Sequence, residues 1–228
     1  MRGDGWTSFG RLGDRPLHFA FPVGIAVDTA GRIYIGDYGN HRLVKVDDMT
    51  GEGWVTIGDK PGHPRFAFPT GVAIDAAGRI YVADTFNHRV VRIEDRSGSR
   101  WKSLGGVTAP AAVRFMFPSG VAVDAAGRIH VADRSNHRIV RVNDITGAHP
   151  AVLGRFGAGT GEFAFPGAIT IVPRHGIVIT DSGNCRVVRI ADMRGAGWQT
   201  LRSRGDGADR LDHPSHVSHE KGVTRCRR

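Results

Sequence analysis

Apolar and small residues alternate along short segments of this chain, and polar turns separate the segments. In the first segment Val23, Ile25 and Val27 alternate with small residues, and a second apolar run begins at Ile33 after a turn. Alternation with a period of two is typical of a half-buried β-strand. No segment shows a sustained apolar period of 3.6 residues, so the pattern predicts an all-β chain with essentially no helix.

The same segment occurs four times. Its copies begin FAFPVGIAVD, FAFPTGVAID, FMFPSGVAVD and FAFPGAITIV, and their prolines, Pro22, Pro69, Pro118 and Pro166, are 47, 49 and 48 residues apart. Each copy contains three predicted strands, and a later segment such as GWVTIG, around Trp54, predicts a fourth. Four short antiparallel strands in a unit of about 40–50 residues are typical of a β-propeller blade.

The pattern FPxGVAVDxxGRIYVADxxNHRVVRI resembles the NHL repeat, which is named for its Asn-His-Leu consensus. The corresponding triplets here are Asn40-His41-Arg42, Asn87-His88-Arg89, Asn136-His137-Arg138 and Asn184-Cys185-Arg186. The resemblance covers residues 18 to about 201. It implies an NHL-type propeller, usually of six blades, that binds a partner through loops on one face.

The chain has room for fewer blades than six. We expect one domain over residues 1–228, with four repeats at about 18–58, 65–105, 114–154 and 162–201 and partial blade strands at 5–10 and 211–226. The partial strands fit a ring closed by a composite fifth blade. They also fit a truncated six-bladed protein, or a unit that associates through open sheet edges.

Each repeat carries Asp-x-x-Asn-His-Arg, or Cys in place of His in the fourth. The residues are Asp37, Asn40, His41, Arg42; Asp84, Asn87, His88, Arg89; Asp133, Asn136, His137, Arg138; and Asp181, Asn184, Arg186. An acid, an imidazole and a cation could suggest catalysis, but each set belongs to a different blade and cannot converge on one substrate. Asp and Asn stabilise tight turns through their own backbone. We therefore interpret the motif as structural.

The net charge of +9 is unevenly placed. Acidic and basic residues that recur in the repeats balance, so the excess lies in connectors and at the ends. The connector after the second repeat carries Arg96, Arg100, Lys102 and Arg114 near Trp101. We expect these four to contact phosphate or carboxylate groups of a partner. A protein partner is the first hypothesis, and single-stranded RNA, bound by charge and stacking, is the alternative.

Catalytic signatures are lacking. There is no Walker loop, GxSxG, HExxH or CxxC motif, which favours a non-catalytic scaffold without a cofactor. A metal-dependent lyase or hydrolase with a channel site is another alternative, for which His216 is the weak candidate ligand. A single histidine cannot hold a metal ion, so we expect no metal site.

The chain begins without the apolar stretch of a signal peptide and has no apolar run of about 18 residues. These features predict a cytoplasmic protein that does not associate with membranes, although secretion stays open if the sequence is a fragment.

Overall fold

The computed structural model describes residues 7–59, 65–94, 100–202, 216–220 and 223–227. Within these ranges the regular elements are β-strands and one-turn 3-10 helices, which confirms the prediction of an all-β chain. No helix in the described part of the chain is long and apolar enough to cross a membrane.

Four of the sheets are four-stranded blades. The strands, in chain order, are β1 (Arg11–Leu12), β2 (His18–Phe19), β3 (Pro22–Val27), β4 (Ile33–Asp37), β5 (Arg42–Val46), β6 (Val55–Ile57), β7 (Pro69–Ile74), β8 (Ile80–Asp84), β9 (Arg89–Ile93), β10 (Trp101–Gly105), β11 (Pro118–Val123), β12 (Ile129–Asp133), β13 (Arg138–Val142), β14 (Ala151–Leu153), β15 (Pro166–Val172), β16 (Gly176–Asp181), β17 (Arg186–Ile190), β18 (Gln199–Arg202), β19 (His216–Glu220) and β20 (Val223–Arg227). Blades 1 to 4 are β3–β6, β7–β10, β11–β14 and β15–β18, and every neighbouring pair within them is antiparallel.

The inner strand of each blade starts at the repeated proline. This proline pairs with the aspartate that ends the second strand, as Pro69 does with Asp84, and a register shift follows at once. A 3-10 turn then leads into the third strand; these turns are Tyr38–Asn40, Thr85–Asn87, Arg134–Asn136 and Ser182–Asn184. The start of each inner strand and the NHL turn therefore lie at the same end of every blade.

The hydrophobic core lies between blades. Tyr34 and Leu43 of blade 1 pack against Ile80 and Val82 of blade 2, and equivalent clusters join blades 2 and 3 and blades 3 and 4. Because both faces of an internal blade are covered, its strands carry apolar residues on both sides. The residues of β8, for example, are all buried.

The inner strands β3, β7, β11, β15 and β19 are successive neighbours around a channel. At one end of this series β19 and β20 form a separate two-stranded hairpin. At the other end residues 7–10 belong to no strand. Phe9 nevertheless packs on Phe19, with ring centroids 5.7 Å apart. In the described residues these two segments do not join into a composite fifth blade.

Candidate functional site

The repeated aspartate organises each NHL turn. In blade 2, Asp84 is fully buried, and its Oδ1 accepts a hydrogen bond from the backbone N–H of Ala67 at 2.7 Å. Its Oδ2 accepts from Asn87 Nδ2 at 2.9 Å and from Arg89 Nε at 2.7 Å. The same bonds recur around Asp37, Asp133 and Asp181. This network holds the turn and engages both oxygens of the carboxylate.

The repeated histidine connects each blade to the next. His41, His88 and His137 all have left-handed backbones, with φ between 53° and 55°. Their Nδ1 atoms accept hydrogen bonds from the backbone N–H of Phe68, Phe117 and Phe165, at 3.2, 3.1 and 3.1 Å. Each of these imidazoles therefore joins its blade to the next one through a hydrogen bond. Cys185, which has the same backbone conformation, occupies this position in blade 4.

The phenylalanine before each repeated proline lies at the same end of the blades as the NHL turn. Phe21, Phe68, Phe117 and Phe165 all have φ near +50°, which is uncommon for a residue with a side chain. The rings of Tyr38, Phe68, Phe86 and Phe117 form a continuous row, with successive centroids 4.8, 4.6 and 5.1 Å apart. Phe165 lies under the guanidinium of Arg134, 5.7 Å from its ring centroid.

We call this surface the channel-mouth face; it comprises Phe21, Tyr38, Phe68, Phe86, Phe117, Arg134 and Phe165. Several of its aromatic side chains are well exposed, with Phe21 at 74%, Phe86 at 46% and Phe165 at 42%. The face borders a cavity of about 760 Å³ that follows the inner strands and includes Tyr38, Phe86, Phe117 and Arg134 in its lining. Exposed apolar surface gathered at a cavity is typical of a binding site.

Of the four basic residues singled out in the sequence, the structure describes three, and it places Lys102 and Arg114 near opposite ends of β10. Lys102 lies near the start of β10, opposite Arg92, and approaches Glu94 at 4.0 Å. Arg114 lies past the other end of β10, where its carbonyl accepts from Asn136 and Arg138 in the turn of blade 3. Arg100 immediately precedes β10, and Arg96 lies outside the described residues. A partner-binding role for these residues stays a prediction.

Trp101 packs as part of the blade. Its ring lies 4.5 Å from Phe66, and Trp54 and Trp198 make matching contacts with Phe19 and Phe163. A role for Trp101 as an exposed stacking platform is therefore not supported by its position.

No cluster of three or more His, Cys, Asp or Glu residues in the described part of the chain is placed to hold a metal ion. The side chain of His216, the candidate ligand in the sequence, lies outside what the structure describes.

Sequence reasoning missed the channel-mouth face, although a signal for it was present. The two residues between Asp and Asn vary among the repeats: Tyr38-Gly39, Thr85-Phe86, Arg134-Ser135 and Ser182-Gly183. Variation inside a constant framework is expected where the framework presents side chains to a ligand. The second phenylalanine of FxFP could not be assigned to this surface from the sequence because its left-handed backbone decides where the ring points.

The NHL repeat model matches residues 19–46, 66–93 and 115–142, which are the first three repeats. Among curated proteins no sequence matches the chain significantly. Similarity to solved structures is extensive in fold and low in sequence.

A streptogramin B lyase is 14% identical with a TM-score of 0.69, over 97% of this chain and 65% of that one. A chain of a nidogen–laminin complex is 16% identical with a TM-score of 0.73, over 92% and 73%. Virginiamycin B lyase from Staphylococcus aureus is 15% identical with a TM-score of 0.60, over 86% and 59%. This chain thus spans about two thirds or less of the two lyases. The matched repeats and the four four-stranded blades identify the chain as an NHL-repeat β-propeller.

Proposed function

We propose that this propeller is a binding module that holds a segment of a protein partner on its channel-mouth face. The observation that carries the proposal is the row of ring contacts from Tyr38 to Phe117 at the edge of the cavity. Aromatic residues and arginine are enriched at protein interfaces, where they supply most of the binding energy. The rings are held by the backbone and by one another, so little entropy is lost when they bind.

The other functions considered have less support. The likeness to streptogramin and virginiamycin lyases concerns the fold alone, because identity is 14% and 15%. The channel-mouth face is mainly aromatic, and among the described residues that line the cavity Arg134 is the charged one. Such a surface suits binding by contact better than acid–base chemistry, which needs titratable groups within hydrogen-bond reach of a substrate.

Selection of random peptides displayed on phage tests this function without a known partner. Selected peptides should bind purified protein with a measurable Kd, and Phe86→Ser should weaken them at least about tenfold, the loss of one interface anchor. Serine already occupies the same repeat position in blade 3, as Ser135, so the fold tolerates it.

Val152→Ser is the matched control. Val152 is 44% exposed, close to the 46% of Phe86, but lies on the outer strand of blade 3. Its replacement should leave the Kd unchanged. If the selection yields no binding peptide, or if Phe86→Ser binds the selected peptides as well as the wild type does, the channel-mouth face is not the binding surface.

A row of aromatic rings with an arginine also favours single-stranded RNA as a second candidate. Bases stack on aromatic side chains without regard to sequence, and a net charge of +9 attracts phosphate. Affinity for a pool of single-stranded RNA should then fall steeply between low and moderate salt, because binding releases counterions. Affinity that is flat with salt, or undiminished in Phe86→Ser, would argue against RNA.

A further inference from the structure

Arg134 at the channel mouth is a cation without a polar partner among the described residues. Arg134 occupies the position that holds Tyr38 in blade 1, Thr85 in blade 2 and Ser182 in blade 4. Within the described residues its guanidinium makes no hydrogen bond and no ion pair, and its one defined contact is the ring of Phe165 at 5.7 Å. The arginine of the neighbouring motif, Arg138, instead donates to the buried Asp133 at 2.7 Å.

The surroundings of Arg134 are unfavourable for an uncompensated charge. Its side chain is partly buried, and this burial lowers the pKa of the guanidinium. Removing a cation from water is costly unless an opposite charge or hydrogen-bond acceptors replace the water. Arginine is the residue best suited to a carboxylate in such a place, because its planar fork can donate two parallel hydrogen bonds.

The cavity beside Arg134 supplies space, and the described residues that line it supply no competing anion. Its volume is about 760 Å³, and its lining of described residues contains no Asp or Glu. Two of the lining hydroxyls are engaged with the backbone: Ser119 Oγ donates to the carbonyl of Gly167 at 2.8 Å, and Thr70 Oγ1 donates to that of Ser119 at 2.8 Å. The remaining lining is largely apolar, so the cavity suits an anion that is covalently attached to an apolar group.

We infer that Arg134 anchors a carboxylate whose attached apolar or aromatic group enters the channel and packs near Phe117 and Phe165. In a peptide, this carboxylate is either an acidic side chain or the C-terminus, next to an apolar residue; this identification of the ligand rests on the proposed function. A phosphate dianion fits less well, because the described residues of the lining include one cation, while multiply charged anions are usually held by several donors or cations.

A pair of small probes tests the chemistry without any peptide. The anion 3-phenylpropionate and the neutral 3-phenylpropanamide have nearly the same shape and differ in charge. Titration followed by NMR chemical shifts should show that the wild type binds the carboxylate at least about tenfold more tightly, as a charge-assisted hydrogen bond implies. Arg134→Gln should remove this preference while the melting temperature stays unchanged.

Arg194→Gln serves as the control. The Arg194 side chain is 92% exposed and lies beside Asp192, remote from the cavity lining. This variant should keep the wild-type preference. Failure of the wild type to bind 3-phenylpropionate, equal affinity for the two probes, or an unchanged preference in Arg134→Gln would each overturn the inference.

Selected peptides then separate the two sources of the carboxylate. Each peptide is compared with its C-terminally amidated form and with its Asp→Asn or Glu→Gln form, against wild type and Arg134→Gln. The modification that makes the affinities of wild type and Arg134→Gln equal identifies the carboxylate that Arg134 binds. If Phe86→Ser abolishes peptide binding but Arg134→Gln changes no affinity, the proposed function stands and the carboxylate site is wrong.

Discussion

At the scale of single residues, the repeated motif is a framework in which buried charge is paired. The Asp181–Arg186 pair is the most enclosed example: its Nε–Oδ2 distance is 2.7 Å, and both side chains are almost entirely buried. Three further nitrogen-to-carbonyl bonds satisfy the guanidinium of Arg186, and its charge lies 5.8 Å from the ring of Trp198. Such a site specifies a turn and leaves nothing for a ligand, in contrast to Arg134.

Blade 3 has a buried histidine at a position where blades 1 and 2 have a tyrosine. His130 stands where blades 1 and 2 have Tyr34 and Tyr81, and its Nε2 lies 3.1 Å from Asp124 Oδ2. Its Nδ1 is buried and has no hydrogen-bond partner among the described residues. Burial keeps the pKa of His130 below its ordinary value, although the hydrogen bond to Asp124 opposes this effect. The folded protein therefore resists a proton that the unfolded chain accepts.

We expect His130 to make the protein less stable in mild acid. As the pH falls below about 6.5, the ordinary value for histidine, the unfolded chain gains protons and the free energy of unfolding decreases. His130→Tyr restores the residue of blades 1 and 2 and removes this titration. Urea unfolding at pH 8 and pH 5 should show a smaller difference in the variant, by about 1.4 kcal/mol for each unit of the pKa difference removed.

His175→Tyr, at an exposed position, is the control for this experiment and should leave the pH dependence as it is in the wild type. An equal pH dependence in His130→Tyr and wild type would contradict the role assigned to His130.

At the scale of elements, neighbouring inner strands pack so closely at the repeated glycine that a side chain there would clash. A Cβ placed on Gly71 of β7 would lie 2.7 Å from the carbonyl oxygen of Ser119 in β11. A Cβ on Gly120 would meet the carbonyl oxygen of Gly167 in β15 at 2.6 Å. The glycine of FPxG is therefore required by the approach of the next blade, while blade 4 has Ala168 at the equivalent position.

Gly71→Ala should accordingly destabilise the protein by about 1–3 kcal/mol, the usual range for overpacking in a close-packed interior. Ala168→Gly, the reverse change at the equivalent position, should cost no more than about 1 kcal/mol, because it adds backbone freedom without a clash. Chemical unfolding curves of the two variants provide the comparison. Equal stability of Gly71→Ala and wild type would mean that the inner strands are not in close contact.

The strands and their order were predictable from the sequence. Period-two alternation predicts each strand, and the recurring Pro, Asp and Asn mark where the strands and turns of a blade begin and end. The pairing of the Asp and Arg side chains could be inferred, but the role of the histidine as a tie to Phe68, Phe117 or Phe165 could not, because it joins residues of different blades. The channel-mouth face was not foreseen for a similar reason. It depends on the left-handed backbone of residues such as Phe117, which local sequence does not reveal.

At the scale of the whole molecule, no described residue covers the outward face of β3 at one end of the series of blades. Ile25 and Val27 of β3 are 51% and 59% exposed. Their counterparts in blade 2, Val72 and Ile74, pack into the cluster between blades 1 and 2. In blade 2 the equivalent face is covered by the preceding blade. The exposed face of β3 therefore suits contact with a blade of another molecule.

We expect the isolated chain to associate with itself through this uncovered face. Light scattering after size-exclusion chromatography should show a mass above that of the monomer, and Ile25→Glu with Val27→Glu should shift it to the monomer, because charge is costly in an apolar interface. Val152→Glu, on the exposed outer strand of blade 3, is the control and should not change the mass. A wild type that is monomeric at high concentration would contradict this expectation.

The footprint of a bound peptide on the protein tests whether partners bind at the channel mouth. Hydrogen–deuterium exchange would be compared for the protein alone and saturated with a selected peptide. If partners bind at the channel mouth, exchange should slow in the turns Tyr38–Asn40, Thr85–Asn87 and Arg134–Asn136 and in the segments around Phe117 and Phe165. Protection confined to the start of β10, around Arg100 and Lys102, would contradict it and place binding at the opposite end of the blades.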